Sequence, residues 1–249
     1  MPTFKATIEY DGTAYAGWQR QPGRPTIQEA VEASLRSITQ TDISAIAAGR
    51  TDAGVHALGQ VVSFKSEKSL SPDDWLRALN ATLPEDISVR SVERAADDFH
   101  ARFSAVRKLY AYRILHRPER SALEHGRAWH IYGKLNLDAM RETAKYLVGT
   151  HDFSSFQGHP TDVDNPICNL QRLDIVRDQD IVRIEIEADR FLKQMVRAMV
   201  GTLAEVGQEK RKPEEMKRIL EAKDRRASGY TAPAHGLYLV HVTYGERKS

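Results

Sequence analysis

The sequence holds a single cysteine, Cys168, among 249 residues. One thiol makes neither an internal disulfide nor a cysteine-rich metal site, and it fits a reducing, cytoplasmic setting. Cys168 sits in NPICNLQ with no obvious base beside it and reads as a packing residue. Long apolar runs are missing too. No stretch approaches the roughly 18 consecutive apolar residues of a membrane helix, so no membrane partner is expected. The opening MPTFKATIEYDG alternates apolar and polar residues and lacks the basic start and apolar run of a secretion signal. There is no GxGxxG after a strand, no P-loop and no histidine–cysteine metal spacing, so no cofactor or metal is expected. The aromatic RNP signature of passive RNA-recognition sheets is absent as well. Nor does one sign of charge dominate. Lys plus Arg number 36 against 34 Asp plus Glu, a formal net charge of +2. Any basic surface must therefore come from local clustering.

What is present reads as ordinary globular protein, with 41% hydrophobic and 28% charged residues. The length suits one or two domains with a sizeable core. Phe4, Ala6, Ile8 and Tyr10 alternate with polar residues, the period of a half-buried strand. After a turn-rich stretch, DGTAYAGWQRQPGRP, Thr26 and Glu29 make a capping-box pattern, and Ile27, Val31, Leu35 and Ile38 continue at helical spacing. Residues 43–48 and 60–65 read as strands. Ser71 and Pro72 open a second helix, and residues 87–95 a further strand. The second half repeats this order: a strand at 106–116, a helix at 136–148 stopping at Gly149, a hairpin of 169–177 and 181–189 turning near Asp178 and Gln179, a helix at 190–207, a short helix from Pro213, and a closing strand at 236–244. Two β-α-β-β-α-β units imply an α+β fold of two ferredoxin-like halves, with antiparallel sheets and helices on one face. The boundary falls within 96–105, giving halves of 1–104 and 105–249.

The segment GRTDAGVHALGQVV at 49–62 joins the second and third strands and is longer than the usual hairpin loop. Long ordered loops at sheet ends often carry function. Gly49, Gly54 and Gly59 open backbone angles closed to other residues. Arg50, Asp52 and His56 are thereby set on a glycine-punctuated scaffold. A guanidinium beside Asp52 would favour the ionised carboxylate, which can act as nucleophile or general base. The alternative is a structural turn in which Asp52 binds backbone amides and Arg50 is solvated. His56 could contact phosphate or satisfy a backbone carbonyl.

GRTDAGVHALGQV resembles the active-site signature of the bacterial tRNA pseudouridine synthase A family. EYDGTAYAGWQRQP at 9–22, FHARFSAVRKLYAYRI at 99–114, FLKQMVRAMVGTLAEVG at 191–207 and APAHGLYLVHVTY at 232–244 resemble further motifs of that family in the same order. The likeness spans nearly the whole chain. It implies two ferredoxin-like halves with a central active-site cleft. It also implies an isomerase that converts uridine to pseudouridine in the anticodon arm of tRNA, at positions 38 to 40, and acts as a homodimer. The reaction breaks the bond from ribose C1′ to uracil N1 and rejoins C1′ to C5. It needs an ionised carboxylate, which the resemblance assigns to Asp52. Three routes stay open: addition to the ring, attack on C1′, or removal of the C2′ proton. The target nucleotide must be flipped out of its stack. Resemblance assigns Tyr110 to stacking on the base, Arg197 to pairing with Asp52, Arg50 to RNA contact or flipping, and Leu237 to lining the base pocket. Along the helix at 190–207, Leu192, Met195, Val196, Met199, Leu203 and Val206 share one face, while Arg190, Lys193 and Arg197 lie opposite, near Gly201. Other candidates for RNA contact are Arg20, Arg24, Arg102, Arg107, Lys108, Arg225 and Arg226.

Two rivals are weighed against this reading. A non-catalytic RNA-binding or RNA-folding protein would keep its function without the Asp52 carboxylate. A glycosidase-type hydrolase needs two carboxyl groups roughly 5–9.5 Å apart, and the loop offers one.

Overall fold

A computed structural model of the chain describes residues 1–161 and 164–245. The chain divides into two compact units. One is Met1–Val106 with the segment from Tyr238 onward; the other is Arg107–Leu237.

In the first unit, β1 (Thr3–Tyr10), α1 (Ile27–Thr39), β2 (Ile46–Ala47), β3 (His56–Lys65), α2 (Pro72–Thr82) and β4 (Ile87–Ala95) follow in order. The second unit runs from β5 (Ala105–His116) through β6 (Trp129–Ile131), α3 (Leu137–Ala144), β7 (Gly149–Asp152), β8 (Ile167–Asp178), β9 (Ile181–Ala188), α4 (Met195–Gly207) and α5 (Glu215–Ala222). The last strand is β10 (Leu237–Tyr244).

The alternation in β1 does what its period predicts: Phe4, Ala6, Ile8 and Tyr10 are all buried. They meet the apolar faces of both helices. Ala6, Ile8, Val62, Phe64 and Val89 from the sheet enclose one core with Val31, Leu35 and Leu79 from the helices. Trp75 of α2 closes it, with its ring 5.6 Å from Phe4 and 5.1 Å from Phe64. Burying each Val, Leu, Ile or Phe side chain among them contributes ~1.5–3 kcal/mol. Both helix starts follow from sequence. The Thr26 hydroxyl accepts from the Glu29 N–H at 3.3 Å. Ser71 and Asp74 form a complete reciprocal capping box ahead of Pro72.

The first unit orders its strands β4-β1-β3-β10. β1 runs antiparallel to both β3 and β4. The second orders its strands β5-β9-β8-β7, with antiparallel β5–β9, β9–β8 and β8–β7 pairs. The β8–β9 hairpin turns at Gln179, which takes a left-handed φ of 53°.

Three expectations change. The closing strand, assigned to the second half, belongs from Tyr238 onward to the first unit, where it pairs in parallel with β3, Tyr238 opposite His56 and Leu239 opposite Ala57. Gly59 makes this possible, because a Cβ there would lie 2.4 Å from the Val240 carbonyl oxygen. The helix expected from 190 begins only at Met195. Gln194, at φ 57° and ψ 7°, turns the chain left-handed just before it. Third, α4 is buried over more than the one apolar face read from its spacing. Met195, Val196, Met199, Leu203 and Val206 are buried, but so are Ala198, Val200, Gly201, Thr202 and Ala204. The short strands β6 and β7 have too few residues to show a period and escape the sequence reading.

Candidate active site

β3 starts at His56, four residues earlier than its apolar pattern suggests, because it pairs with β1 as far as Tyr10 opposite Ala57. Half of the GRTDAGVHALGQVV segment is therefore strand. The connecting loop is residues 48–55, which still exceeds an ordinary hairpin turn. Arg50 is exposed, Asp52 is half-buried, and Thr51 between them is buried. Asp52 thus reaches the surface from a residue whose neighbour is anchored below.

The anchoring comes from the 9–22 segment. Trp18 N–H donates to the Thr51 carbonyl at 3.0 Å, and Gly54 N–H donates to the Tyr15 carbonyl at 3.3 Å. The Tyr10 and Thr51 hydroxyls share a buried hydrogen bond of 2.9 Å. Gln60 closes the other side by donating to the Gly49 carbonyl at 2.7 Å. Burial pushes the Tyr10 phenol up to about 12, against the opposing effect of its bonds to Thr51 and Gln60. It stays neutral under any ordinary condition. The two loops touch backbone to backbone, which only glycine allows. A Cβ on Gly12 would sit 2.0 Å from the Val55 oxygen, and one on Gly17 would sit 2.4 Å from the Thr51 oxygen. Gly17 also takes φ +97° and Gly54 φ +76°, left-handed angles that L side chains avoid.

His56 stands behind this loop. Its side chain is buried, its Nδ1 accepts the Gly12 N–H at 3.1 Å and lies 3.2 Å from an Asp11 carboxylate oxygen, and its ring stacks on Tyr238 at 4.7 Å. These two Nδ1 contacts are alternatives. A ring with no proton on Nδ1 accepts from Gly12, and one with its proton there donates to Asp11. Two readings stand for His56, contact with phosphate and contact with the backbone; its bond to the Gly12 N–H supports the Gly12–Val55 approach.

A second anchor lies under α1. The buried Glu32 carboxylate pairs with the Arg20 guanidinium and accepts from Gln28 Nε2 at 2.9 Å and Ala45 N–H at 3.1 Å. Arg20 N–H in turn donates to Gln28 Oε1 at 3.2 Å. Glu32 so ties the loop before α1 to the segment before β2.

In the second unit, Tyr110 on β5 is buried, with its ring edge-on to Phe191 at 5.0 Å and 83°. Leu237 is buried at the first position of β10. Arg197 projects from α4 and donates through Nε to the Ala232 carbonyl at 2.8 Å, while Ala232 N–H returns a 3.0 Å bond to the Arg197 carbonyl. Gly201 lies against this same segment: a Cβ there would lie 1.8 Å from the Tyr230 oxygen. A cavity of about 870 Å³ in the first unit is lined by Ile43, Phe64, Lys65, Asp97 and Phe99, among others, and by no residue of the 48–55 loop. It is not the place for Asp52 chemistry. Among the described residues no group of three or more His, Cys, Asp or Glu is arranged to hold a metal ion.

The sequence model described as tRNA pseudouridine synthase matches residues 6–104 and 143–245. The chain is 45% identical over 247 residues to a tRNA pseudouridine synthase A of Methylocella silvestris, covering 99% of this chain and 100% of that protein. It is 44% identical over 242 residues to one of Bacillus subtilis, covering 96% and 98%. A third, from Agrobacterium fabrum, is 43% identical over 247 residues, covering 98% and 93%. The chain belongs to the tRNA pseudouridine synthase family.

Within that family frame, the first matched stretch carries Arg50, Asp52 and His56, and the second carries Arg197 and Leu237. Tyr110 falls between them. Several synthase-family candidates for RNA contact are engaged elsewhere. Arg20 pairs with Glu32. Arg225 ties Ser228, Gly229 and Thr231 into one turn. Arg226 grips Asp224 through Nε and Nη2. Two of the three cations read on one side of the long helix lie outside it. Arg190 donates to the Asn165 carbonyl and Lys193 to the Pro160 carbonyl, both at 2.9 Å and both ahead of α4. Arg107 reaches Gln171 at 3.5 Å. Arg24, Arg50 and Arg102 are exposed. Gly12, Gly17, Thr51, Glu32 and Gln60 are the supporting residues that sequence reasoning passed over. A glycine pair in DGTAYAG facing a glycine-rich loop was the available signal.

Proposed function

We propose that the chain isomerises uridine to pseudouridine in the anticodon arm of tRNA, at positions 38 to 40, with Asp52 as the catalytic carboxylate. The observation that carries this is the Asp52 loop itself. In a member of the tRNA pseudouridine synthase family, a half-buried carboxylate rises from a loop fastened on both sides by Trp18, Tyr15 and Gln60. Fixing an attacking group in advance removes orientational freedom that would otherwise be lost in the transition state. The N1–C1′ bond breaks, the base turns, and C5–C1′ forms. The C5 proton leaves to solvent and N1 gains one, so atoms and charge balance without an oxidant. Each of the three routes requires the Asp52 carboxylate in its ionised form. Arg197 supplies the compensating cation, Tyr110 stacks on the flipped base, Leu237 lines its pocket, and Arg50 contacts the RNA. The active species is a homodimer.

The test is tritium release from tRNA carrying 5-tritiated uridine. Wild type releases tritium. Asp52→Asn, folded and still binding tRNA, releases none. Equal release by both would remove Asp52 from the chemistry. No release by either, on tRNAs with uridine at 38 to 40, would favour a non-catalytic RNA-binding protein.

A further inference from the structure

Two phenylalanines stand four residues apart in the FHARF turn, and they have opposite fates. Phe99 is packed, its ring 5.0 Å from Tyr244, with the Lys5 ammonium 5.9 Å from its centroid. Phe103 is 69% exposed. Nothing in the turn forces it outward by looseness, because the turn is tightly held. Ser104 N–H donates to the His100 carbonyl at 2.9 Å, and His100 N–H donates to Ser104 Oγ at 3.2 Å. Ala101 between them is tied down at both ends. Its N–H donates to Ser63 Oγ at 3.1 Å, and its carbonyl accepts from the Tyr244 hydroxyl at 2.7 Å. His100 Nδ1 accepts from both Arg102 N–H and Phe103 N–H, at 3.2 and 3.3 Å. That nitrogen is therefore unprotonated, and the ring proton sits on Nε2. The fixed imidazole lies 4.3 Å from the Phe103 ring at 31°. The exposed Arg102 guanidinium lies 5.7 Å from the same ring.

A phenyl ring, an imidazole and a guanidinium on one rigid, solvent-facing turn are the three planar surfaces on which proteins stack unpaired RNA bases. One exposed ring among polar neighbours is too small an apolar area for a stable protein interface. A single base matches its size, and a cation beside it suits the phosphate of that nucleotide. We infer that the His100–Ser104 turn is a nucleobase-stacking platform that holds an unpaired base of the tRNA, with Phe103 as the stacking ring and Arg102 as its cation. This rests on the tRNA substrate proposed above, and it adds a contact apart from the Asp52 loop.

Binding of a fluorescein-labelled, unmodified tRNA transcript is measured for the wild type and for Phe103→Ala, Phe103→Leu and Phe103→Trp. Single-turnover tritium release at saturating tRNA, thermal midpoint and solution mass are followed in parallel. Phe103→Ala and Phe103→Leu raise Kd by roughly 5- to 100-fold, the worth of one stacked base. Phe103→Trp restores binding to about the wild-type value. Release at saturation stays at the wild-type rate. If Phe103→Leu binds as tightly as wild type, or Phe103→Ala leaves Kd unchanged, the platform is overturned while the isomerase reading stands. A weaker Kd that comes with a change of solution mass would assign the turn to contact between copies, and overturns it equally. A wild type that binds no tRNA sinks both readings.

Discussion

At the scale of single residues, the most consequential positions in the candidate site carry no side chain. Gly12 and Gly17 let one loop lie backbone-on-backbone against the loop that bears Asp52. A methyl group at Gly12 would have to push the Val55 carbonyl aside from 2.0 Å. Gly12→Ala is expected to cost about 1–3 kcal/mol, as overpacking does. For a chain of this size that lowers Tm by roughly 2–12 °C. It should also lower the rate of tritium release more than the affinity for tRNA, since the displaced segment bears the carboxylate. A Gly12→Ala enzyme with wild-type Tm and rate would show that the approach is not needed. Cys168 makes the opposite kind of statement. It is buried, and burial pushes its thiol up to about 11. Only the thiolate alkylates, so iodoacetamide at pH 8 should leave the folded protein unlabelled and modify it quickly in denaturant, read by mass spectrometry. Because the folded thiol titrates above the unfolded one, its contribution to stability is complete below the unfolded pKa and is lost as pH rises from there toward 11. The packing role was legible because nothing basic flanks Cys168 in sequence. The burial of His56 was not, since a histidine in a loop motif looks the same whether it faces ligand or a glycine N–H.

Among elements, α1 links the clearest sequence signal to the least visible support. Its apolar face and its Thr26 cap follow directly from spacing, and Thr26→Ala is expected to cost ~1 kcal/mol. Glu32, on the same helix, interrupts the polar pattern by being buried, and sequence gives no sign of it. Its partners, Arg20 and Ala45, lie 12 residues before it and 13 after. Such links through a buried charge have no period. Glu32→Gln keeps the shape but removes the charge opposing Arg20. It should cost about 1–2 kcal/mol, the low end for a charged bond because Arg20 is half exposed. Pairing Glu32→Gln with Arg20→Met should recover part of that loss. Strictly additive losses in the thermal denaturation of the double variant would mean the two residues are not coupled. The remaining elements divide by the same logic. Strands of eight or more residues and capped helices declared themselves through period and cap. β6 and β7 are three and four residues long and could not. α4 was found, but its extent was overread because Arg190 and Lys193 continue its pattern past the left-handed turn at Gln194.

For the molecule as a whole, a formal net charge of +2 offers little general attraction to a polyanion. Affinity for tRNA is therefore expected from clustered cations that the fold does not already pair. Glu32 and Asp224 occupy Arg20 and Arg226, and the carbonyl and hydroxyls of the 228–231 turn occupy Arg225. Arg24, Arg50 and Arg102 are exposed and lie in or beside the segments that carry the site. Each phosphate neutralised releases counterions, so the logarithm of affinity falls linearly with the logarithm of salt concentration. Removing one phosphate-contacting cation reduces that slope by about 1. Arg24→Ala and Arg50→Ala should each do so and weaken binding of different tRNAs alike. Arg226→Ala should leave the slope nearly unchanged, although Arg226 is exposed too, because Asp224 already balances it. Titration of labelled tRNA between about 50 and 200 mM salt separates these outcomes. A slope that drops for Arg226→Ala as much as for Arg50→Ala would mean that the Asp224 pair opens to take RNA, and that exposure rather than pairing decides which arginines bind.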